Sequence, residues 1–237
     1  LDQEGTLAAL DQLRPTVVIN AAAYTAVDRA ESEPALAYGV NAPAALVGWC
    51  AERNARLIHV STDYIFDGTK DAPYVEDDPP APLGVYGASK LAGERMIRAS
   101  GVRHVIVRTS WVVGRHGSNF VKTIARLAGE RDVLRVVADQ RGRPTPARRL
   151  AEALLGLADH PAEGTFHFAG DPPVSWWDVA RYVAPPGVDV VPITTAEYPT
   201  PAKRPANSVL DCSRWLAEVG IPLPDWREGV REILESR

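Results

Sequence analysis

The sequence predicts an α/β fold, in which a doubly wound parallel sheet is combined with a smaller C-terminal lobe. Short runs of branched apolar residues alternate with amphipathic stretches, a pattern typical of parallel strands connected by helices. The 237 residues, 46% of them hydrophobic, suffice for one large or two small folded units. Beyond Gly170 the chain is richer in proline and tryptophan. We therefore predict a sheet domain at 1–138 and a lobe formed mainly by 139–237, and leave open that the two interleave.

The first elements are predicted from the spacing of apolar residues. Leucines at every third position from Leu7 to Leu13 indicate a short helix. The strand at 16–20 follows it, and its branched apolar run suits burial on both faces. Apolar residues recur at helical spacing over 34–54, which predicts one long helix there. The pattern of a buried strand returns at 56–61.

Turn residues separate the later elements. Prolines and acidic residues fill 67–82, which is typical of a loop. The helix predicted at 84–99 stops before Gly101, and a third strand follows at 102–109. The remaining predictions are a helix at 119–127, an extended segment at 133–138, a helix at 148–158 and a short strand at 165–168.

Composition excludes several classes of protein. A net charge of -4 and a pI of about 5.8 argue against a nucleic-acid binder. No run approaches the roughly 18 apolar residues that span a bilayer. The five histidines are scattered without metal-ligand spacing, and Cys50 and Cys212 have no nearby cysteine or histidine partner. We expect a cytoplasmic protein with free thiols, no metal, no membrane partner and no nucleic-acid partner.

Three small residues follow the first predicted strand. Open parallel sheets bind ligands outside the carboxyl ends of their strands. Asn20 ends the strand, and Ala21, Ala22 and Ala23 come next, where small side chains let a flat ligand approach the backbone. The alternative is ordinary alanine-rich packing of a strand against a helix.

A tyrosine and a lysine share one face of the helix predicted at 84–99. Tyr86 and Lys90 are four positions apart. An adjacent ammonium favours the phenolate and so lowers the pKa of a tyrosine, as general acid chemistry near neutral pH requires. Taken alone, this spacing is weak evidence for a catalytic pair, because a surface lysine beside a half-buried tyrosine gives the same pattern.

Hydroxyl and carboxyl groups mark the end of the second predicted strand. Thr62 could hydrogen-bond a substrate oxygen while Tyr86 supplies a proton, and Asp63 lies beside it. The alternative is that both residues only turn the chain. The order of small-residue turn, strand-end hydroxyl, tyrosine and lysine is a stronger signal than any one of them.

The sequence as a whole resembles the extended short-chain dehydrogenase/reductases, and most closely the dTDP-4-dehydrorhamnose reductases. The resemblance runs along the whole chain. Its matching strings include VINAAAYTAVDRAESEP (18–34), IHVSTDYIFDG (58–68), VYGASKLAGE (85–94), VRTSWVVG (107–114), DQRGRPT (139–145) and TTAEYPTPAKRPANSVLD (194–211). The strings STDYIFDG and YPTPAKRPANS are more specific than the Tyr-Lys spacing. The implied fold is Rossmann-like, with a dinucleotide-binding domain at 1–138 and a substrate-binding lobe at 139–237.

The resemblance implies a reduction of dTDP-4-dehydro-L-rhamnose, or a related dTDP-4-keto-6-deoxyhexose, by NADPH or NADH. Tyr86 would protonate the sugar C4 oxygen, Lys90 would lower the pKa of Tyr86 and hold the cofactor ribose, and Thr62 would complete the catalytic triad. Cofactor-binding residues would be Asn20, Ala21, Ala22, Ala23, Tyr86 and Lys90; substrate-binding residues would be Thr62, Asp63, Trp111, Lys203 and Arg204. For Trp111 the alternative is core packing. For Lys203 and Arg204, expected at the substrate pyrophosphate, it is a solvated basic pair. We interpret Trp176, Trp177 and Trp226 as packing residues.

The chain departs from the resemblance at its start. Extended reductases begin with a strand, a GxxGxxG turn and a helix that receives the cofactor pyrophosphate. Here Gly5 is the sole glycine before Gly39. We expect the dinucleotide-binding domain to be N-terminally incomplete in this sequence, with the glycine-rich segment present in the intact protein. The alternative is a true truncation that holds the dinucleotide weakly.

Two rival functions remain at this stage. A non-catalytic regulatory or binding subunit on the same fold would explain the absent glycine turn, whereas the Tyr86–Lys90 pair argues against it. An epimerase or dehydratase is less favoured, because a dehydratase needs a second carboxylate where Tyr64 stands. The sequence is compatible with a homodimer and does not require one.

Overall fold

The computed structural model describes residues 2–236. Among these residues the helices are α1 (Gln3–Leu13), α2 (Val27–Ala30), α3 (Pro34–Asn41), α4 (Ala44–Glu52), α5 (Val85–Ala99), α6 (Phe120–Leu127), α7 (Ala147–Gly156), α8 (Trp176–Val183), α9 (Ser213–Glu218) and α10 (Trp226–Glu235). The strands are β1 (Val17–Asn20), β2 (Arg56–Thr62), β3 (His104–Thr109), β4 (Val112–Val113), β5 (Val133–Val137), β6 (Arg141–Gly142), β7 (Thr145–Pro146), β8 (Gly164–His167), β9 (Val174–Ser175) and β10 (Asp189–Ile193). Short 3-10 turns cover Asp63–Ile65 and Thr195–Glu197.

A parallel sheet in the order β1-β2-β3-β8 organises the part of the chain that the structure describes. All three strand pairings are parallel, and the register places Asn20 beside His59 and Thr62 beside Thr109. The carboxyl ends of β1, β2 and β3 therefore lie along one edge, where parallel sheets bind ligands. The predicted α/β class with a Rossmann-like parallel sheet is confirmed.

Helices cover both faces of this sheet. Leu57 and Ile106 point to one face and pack with α1, α4 and α5 in a cluster that includes Val47 and Ile97. Ile58 and Val105 point to the other face and pack with α7 and α9 in a second cluster. Alternate residues of each strand are thus buried on opposite sides, which accounts for the continuous apolar runs in the sequence.

A second core surrounds the parallel pair β5 and β10. Helices α6, α8 and α10 pack against it through residues such as Val121, Val179 and Val230. Strand β8 comes from the second half of the sequence, yet it pairs with β3 in the main sheet. The division of the chain at residue 138 stays a prediction.

The long helix predicted over 34–54 is wrong in one respect, because the segment forms two helices. α3 ends at Asn41 and α4 begins at Ala44. Pro43 has no backbone N–H to donate and disfavours helical geometry at the preceding residue, and Ala42 accordingly has φ -113° and ψ 80°. The break lets Asn41 bridge to the chain after β1.

None of the helices within residues 2–236 has the length and apolarity that crossing a lipid bilayer requires.

Cys50 and Cys212 are buried free thiols.

We predict that Gly87→Ala destabilises the protein by about 3 kcal/mol, since overpacking a tight site costs that order of free energy. Gly87 lies in the first turn of α5, and a Cβ there would overlap the carbonyl oxygen of Tyr64. The measurement is urea unfolding. The control is Gly48→Ala on α4, where a Cβ meets nothing within 4 Å and alanine is expected to stabilise the helix by up to about 1 kcal/mol. Equal effects of the two changes would contradict the close approach of α5 to the end of β2.

Candidate active site

The small-residue turn after β1 is fixed by hydrogen bonds at its first residue. Asn20 is buried; its side-chain oxygen accepts from the Ala22 N–H at 3.1 Å, and its Nδ2 contacts His59 Nδ1 at 3.0 Å. Ala21 and Ala22 are exposed, and Ala23 is half-buried. The backbone at this edge is therefore held in place while its small side chains leave it open to approach.

Thr62 and Tyr86 meet where β2 ends and α5 begins. The Thr62 hydroxyl lies close enough to the Tyr86 phenol to affect its pKa; it donates to Asp63 Oδ1 at 3.1 Å and accepts from the Tyr64 N–H at 3.2 Å. Tyr64 packs edge-on against Tyr86, with ring centroids 5.6 Å apart. Two residues distant in sequence thus join in one polar site.

The pKa of Tyr86 departs from the sequence prediction. Burial raises it to about 12, the Thr62 hydroxyl lowers it and Asp63 raises it further. Loss of solvation around the phenol is the main cause, Asp63 acts in the same direction, and the expected lowering by Lys90 is not found. Tyr86 is therefore protonated at neutral pH, which is the state that a proton donor needs.

Lys90 is buried on the same face of α5 as Tyr86. Its ammonium donates to the carbonyl oxygen of Val60 at 2.6 Å. Burial lowers the pKa of Lys90 to about 8, while Glu94 opposes this shift. Lys90 is thus a buried cation anchored to the backbone of β2, close to losing its proton just above neutral pH.

Asp63 is a second buried group with a displaced pKa. Burial raises the pKa of its carboxyl to about 7, and the Ser208 and Thr62 side chains lower it. Its Oδ2 atom is buried and has no hydrogen-bond partner in the structure. Such a polar atom is costly unless something satisfies it, which makes Asp63 a candidate for contact with a polar ligand.

A tryptophan in an unusual backbone conformation follows β3. Trp111 has φ 48°, a left-handed value that a bulky side chain rarely adopts. Its ring stacks on Trp176 with centroids 3.6 Å apart and planes 7° apart. A Cβ at Gly142 would overlap the Trp111 ring, so glycine is needed there. Strain of this kind costs about 1–3 kcal/mol and tends to occur at ligand sites.

The two basic residues predicted for the pyrophosphate differ in their surroundings. Lys203 is exposed. Arg204 is half-buried, and its two terminal nitrogens donate to the Asp28 carboxylate at 2.8 and 3.1 Å. The alternative of a solvated basic pair is therefore wrong for Arg204, because Asp28 of α2 pairs with it across 176 positions of sequence.

A cleft of about 480 Å³ lies between the β5 sheet, α6 and the loop before Arg204. Tyr64 lines it at one end, which joins the cleft to the site around Tyr86. Residues that the sequence analysis did not select also line it: Phe120, Gln140, Trp176, Tyr198 and Thr200. Trp176 therefore both packs and lines the cleft. The string YPTPAKRPANS contains Tyr198 and Thr200, and DQRGRPT contains Gln140, but neither string showed which of its residues line the cleft.

The structure brings Thr62, Asp63, Tyr86 and Lys90 together at the ends of β2 and α5 and places Arg204 on the wall of the adjoining cleft. Trp111 is linked to this wall through Trp176, whereas Lys203 points to solvent. Among residues 2–236, no group of three or more His, Cys, Asp and Glu side chains is arranged to hold a metal ion.

A buried ion cluster behind the site was missed by the sequence analysis. The fully buried carboxylate of Glu94 accepts four hydrogen bonds. Arg108 donates two of them, from Nε at 3.0 Å and from Nη2 at 2.9 Å. Arg98 Nη2 donates at 2.7 Å and Ser61 Oγ at 2.5 Å. These partners hold the pKa of Glu94 below its usual value despite burial. Contacts over such sequence separations leave no local pattern.

Comparison with known proteins identifies the family. The model of the RmlD substrate binding domain matches residues 1–237. The chain is 45% identical to the dTDP-4-dehydrorhamnose reductase of Aggregatibacter actinomycetemcomitans, over 94% of the chain and 82% of that protein. It is 40% identical to the Escherichia coli K12 enzyme of the same name, over 98% of the chain and 83% of that protein.

A solved relative has the same fold. The crystal structure of dTDP-4-dehydrorhamnose reductase from Bacillus anthracis, in complex with NADP, matches with a TM-score of 0.91 and 35% identity, over 100% of this chain and 86% of that one. The resemblance inferred from the sequence motifs is confirmed. The chain belongs to the dTDP-4-dehydrorhamnose reductase family of oxidoreductases.

Proposed function

We propose that the protein reduces dTDP-4-dehydro-L-rhamnose, or a closely related dTDP-4-keto-6-deoxyhexose, to the corresponding dTDP-6-deoxysugar with NADPH. The observation that carries this proposal is the proximity of Thr62 to a protonated Tyr86, with the buried cation of Lys90 one turn further along α5. Family relatives of the same name support the substrate class. The NADP complex of the Bacillus anthracis relative supports the cofactor.

The residues at the end of β1 and on α5 fit one end of a nicotinamide dinucleotide. Exposed Ala21 and Ala22 admit a flat ring, and the Lys90 ammonium has donor capacity beyond its bond to Val60. Asn20 would hold the turn, and Ala23 would line the same surface. The bound cofactor would supply the hydride. A glycine-rich turn for its pyrophosphate is not part of the 237 residues.

The protein's own residues would position the keto sugar and move one proton. Tyr86 Oη would donate to the C4 oxygen as negative charge develops on it, and the Thr62 hydroxyl would hydrogen-bond the same oxygen. Lys90 would donate from its ammonium to the cofactor ribose. Asp63 Oδ2, unpartnered in the structure, would accept from a sugar hydroxyl.

The cleft would receive the remainder of the substrate. Trp111, with Trp176 behind it, offers a flat apolar face to a sugar ring. Arg204 lines the cleft and, with the exposed Lys203 next to it in sequence, would bind the pyrophosphate, for which a guanidinium is well suited. A cytoplasmic location and a homodimer remain predictions.

The test is a spectrophotometric assay of NADPH oxidation with dTDP-4-dehydro-L-rhamnose, and with NADH in parallel. We expect turnover and formation of dTDP-L-rhamnose, identified by mass spectrometry. A regulatory subunit would instead oxidise no NADPH with any dTDP-4-keto-6-deoxyhexose and would co-purify with a stoichiometric partner. That pair of results would replace the proposed function with the rival.

A further inference from the structure

Glu94 stands where three elements of the candidate active site converge. It lies one turn beyond Lys90 and two turns beyond Tyr86 on the same face of α5. Its carboxylate accepts a hydrogen bond from the hydroxyl of Ser61, the residue before Thr62 on β2. It also accepts hydrogen bonds from two nitrogens of Arg108, the residue before Thr109 on β3. One buried carboxylate thus ties α5 to the ends of two neighbouring strands.

The contacts between α5 and β2 follow one another along the strand. Val60 accepts from Lys90, Ser61 donates to Glu94, and Thr62 lies beside Tyr86. A shift of α5 along β2 would break all three contacts together. Of the three helix residues, Glu94 is the one whose hydrogen bonds also reach β3, through Arg108, so it fixes α5 against both strands.

Burial of Lys90 gives Glu94 a second effect. The ammonium of Lys90 is almost completely removed from solvent, which disfavours its charged form. Glu94 is the charged group that opposes this effect of burial. The pKa of Lys90 is about 8 with Glu94 present, and without that carboxylate it would be lower. Arg108 and Arg98 in turn keep Glu94 ionised.

We propose that Glu94 is a positioning residue of the reductase, which acts through Lys90 by holding its ammonium charged and in register with Thr62 and Tyr86. The link to catalysis rests on the proposed function, whereas the effect on Lys90 can be measured without turnover.

The direct test is the titration of Lys90 by NMR. The sequence contains four lysines, so protein labelled with carbon-13 at lysine Cε gives few signals, and the Lys90→Met variant assigns the one of interest. In Glu94→Gln we expect the titration midpoint of Lys90 to fall by about one pH unit, because an opposite charge nearby is lost. The control is Glu130→Gln, which removes an exposed carboxylate paired with Arg126 and is expected to leave the midpoint unchanged. An unchanged midpoint in Glu94→Gln overturns the proposal.

Other titratable groups near Lys90 must be separated from this effect. The charged or titratable groups around it and Glu94 are Tyr86 on α5, His59 on β2, Asp63 after β2, Arg108 on β3, Arg98 on α5 and His167 on β8. Burial lowers the pKa of His59 to about 3, so it is neutral throughout the range. His167 is likewise neutral, since burial lowers its pKa to about 3. Burial raises the pKa of the Asp63 carboxyl to about 7, and Asp63 is present in both of the proteins compared.

The kinetic test follows kcat/KM against pH. Loss of Glu94 lowers the pKa of Lys90, so the alkaline limb of the profile is expected to move to lower pH in Glu94→Gln, and the lost activity to be partly regained at the acid end. A uniform loss at every pH would indicate a purely structural role and overturn the proposal. Should the wild-type protein oxidise no NADPH while the Lys90 midpoint shifts as expected, the proposed function fails and the effect of Glu94 on Lys90 stands.

A milder variant covers the case in which Glu94→Gln does not fold. Ser61→Ala removes one donor to Glu94 and keeps the ion pair with Arg108. We expect kcat to fall about tenfold to a hundredfold with KM little changed, since a hydrogen bond to an ionised carboxylate contributes more than one between neutral groups. Unchanged kcat in Ser61→Ala would overturn the positioning role.

Discussion

Tyr86→Phe is expected to lower kcat for keto-sugar reduction by about 10²–10⁴-fold, the usual contribution of a general acid. The phenylalanine ring keeps the edge-on contact with Tyr64, and the substitution removes the hydroxyl that lies beside Thr62. The dissociation constant for NADPH is expected to change little, because the ring itself remains. Stopped-flow or steady-state assays with the dTDP-keto sugar measure the first effect, and fluorescence titration with NADPH measures the second.

The matched control for this variant is Tyr182→Phe. Tyr182 is partly exposed on α8, and its ring packs against Trp226. Loss of that hydroxyl is expected to leave kcat within about twofold of wild type. Full activity of Tyr86→Phe would remove Tyr86 from the proton-donor role, and equal losses in both variants would point to a general loss of folded protein.

Arg108→Met is expected to lower the free energy of unfolding by about 3 kcal/mol at neutral pH, since breaking a buried ion pair strands the partner charge. Arg108 is 2% exposed and Glu94 is completely buried. Methionine fills a similar volume but supplies none of the three donors that Arg108 gives to Glu94 and Glu76. Urea unfolding at pH 7.5 measures the loss.

The loss should depend on pH with a definite sign. In the wild-type protein the pKa of Glu94 lies below its usual value of 4.5, so its ionised form stabilises the fold above that value. In Arg108→Met burial raises the pKa of Glu94, and the folded variant takes up a proton as the pH falls toward 5. The difference in stability between the two proteins is therefore expected to be smaller at pH 5 than at pH 7.5.

The control is Arg126→Met, which removes an exposed ion pair with Glu130. Exposed pairs contribute little, so a change within about 0.5 kcal/mol is expected at both pH values. A loss below about 1 kcal/mol in Arg108→Met, or a loss independent of pH, would contradict the role assigned to the buried pair.

The strands and most helices were predictable because their signals are local. Branched apolar runs identified β1, β2 and β3, and Gly101, with φ 72°, ends the segment after α5 as expected. The single helix predicted over 34–54 failed because apolar spacing continues through Pro43 while the backbone cannot. The spacing of apolar residues therefore predicted helical structure correctly over this segment. The lack of an N–H on Pro43 decided where the first helix ends.

The residues of the candidate site also fall into two groups, those predicted from local sequence signals and those that only the structure revealed. Tyr86, Lys90 and Thr62 were selected from spacing and strand ends, and the structure brings them together because parallel strands finish at one edge. Gln140 and Trp176 were not selected, since they reach the cleft from elements that only the packing of the second core positions. Asp28, the partner of Arg204, was likewise invisible at a separation of 176 positions.

The sequence by itself determined the α/β fold, the family and the candidates at the strand ends, because these depend on short-range periodicity and on motif strings. Tertiary structure alone decided that the pKa of Tyr86 is raised rather than lowered, that Arg204 is held by Asp28, and that Glu94 joins β2, β3 and α5. The reason is physical: burial, ionisation and long-range hydrogen bonds depend on which surfaces exclude water, and that is set only when distant segments pack together.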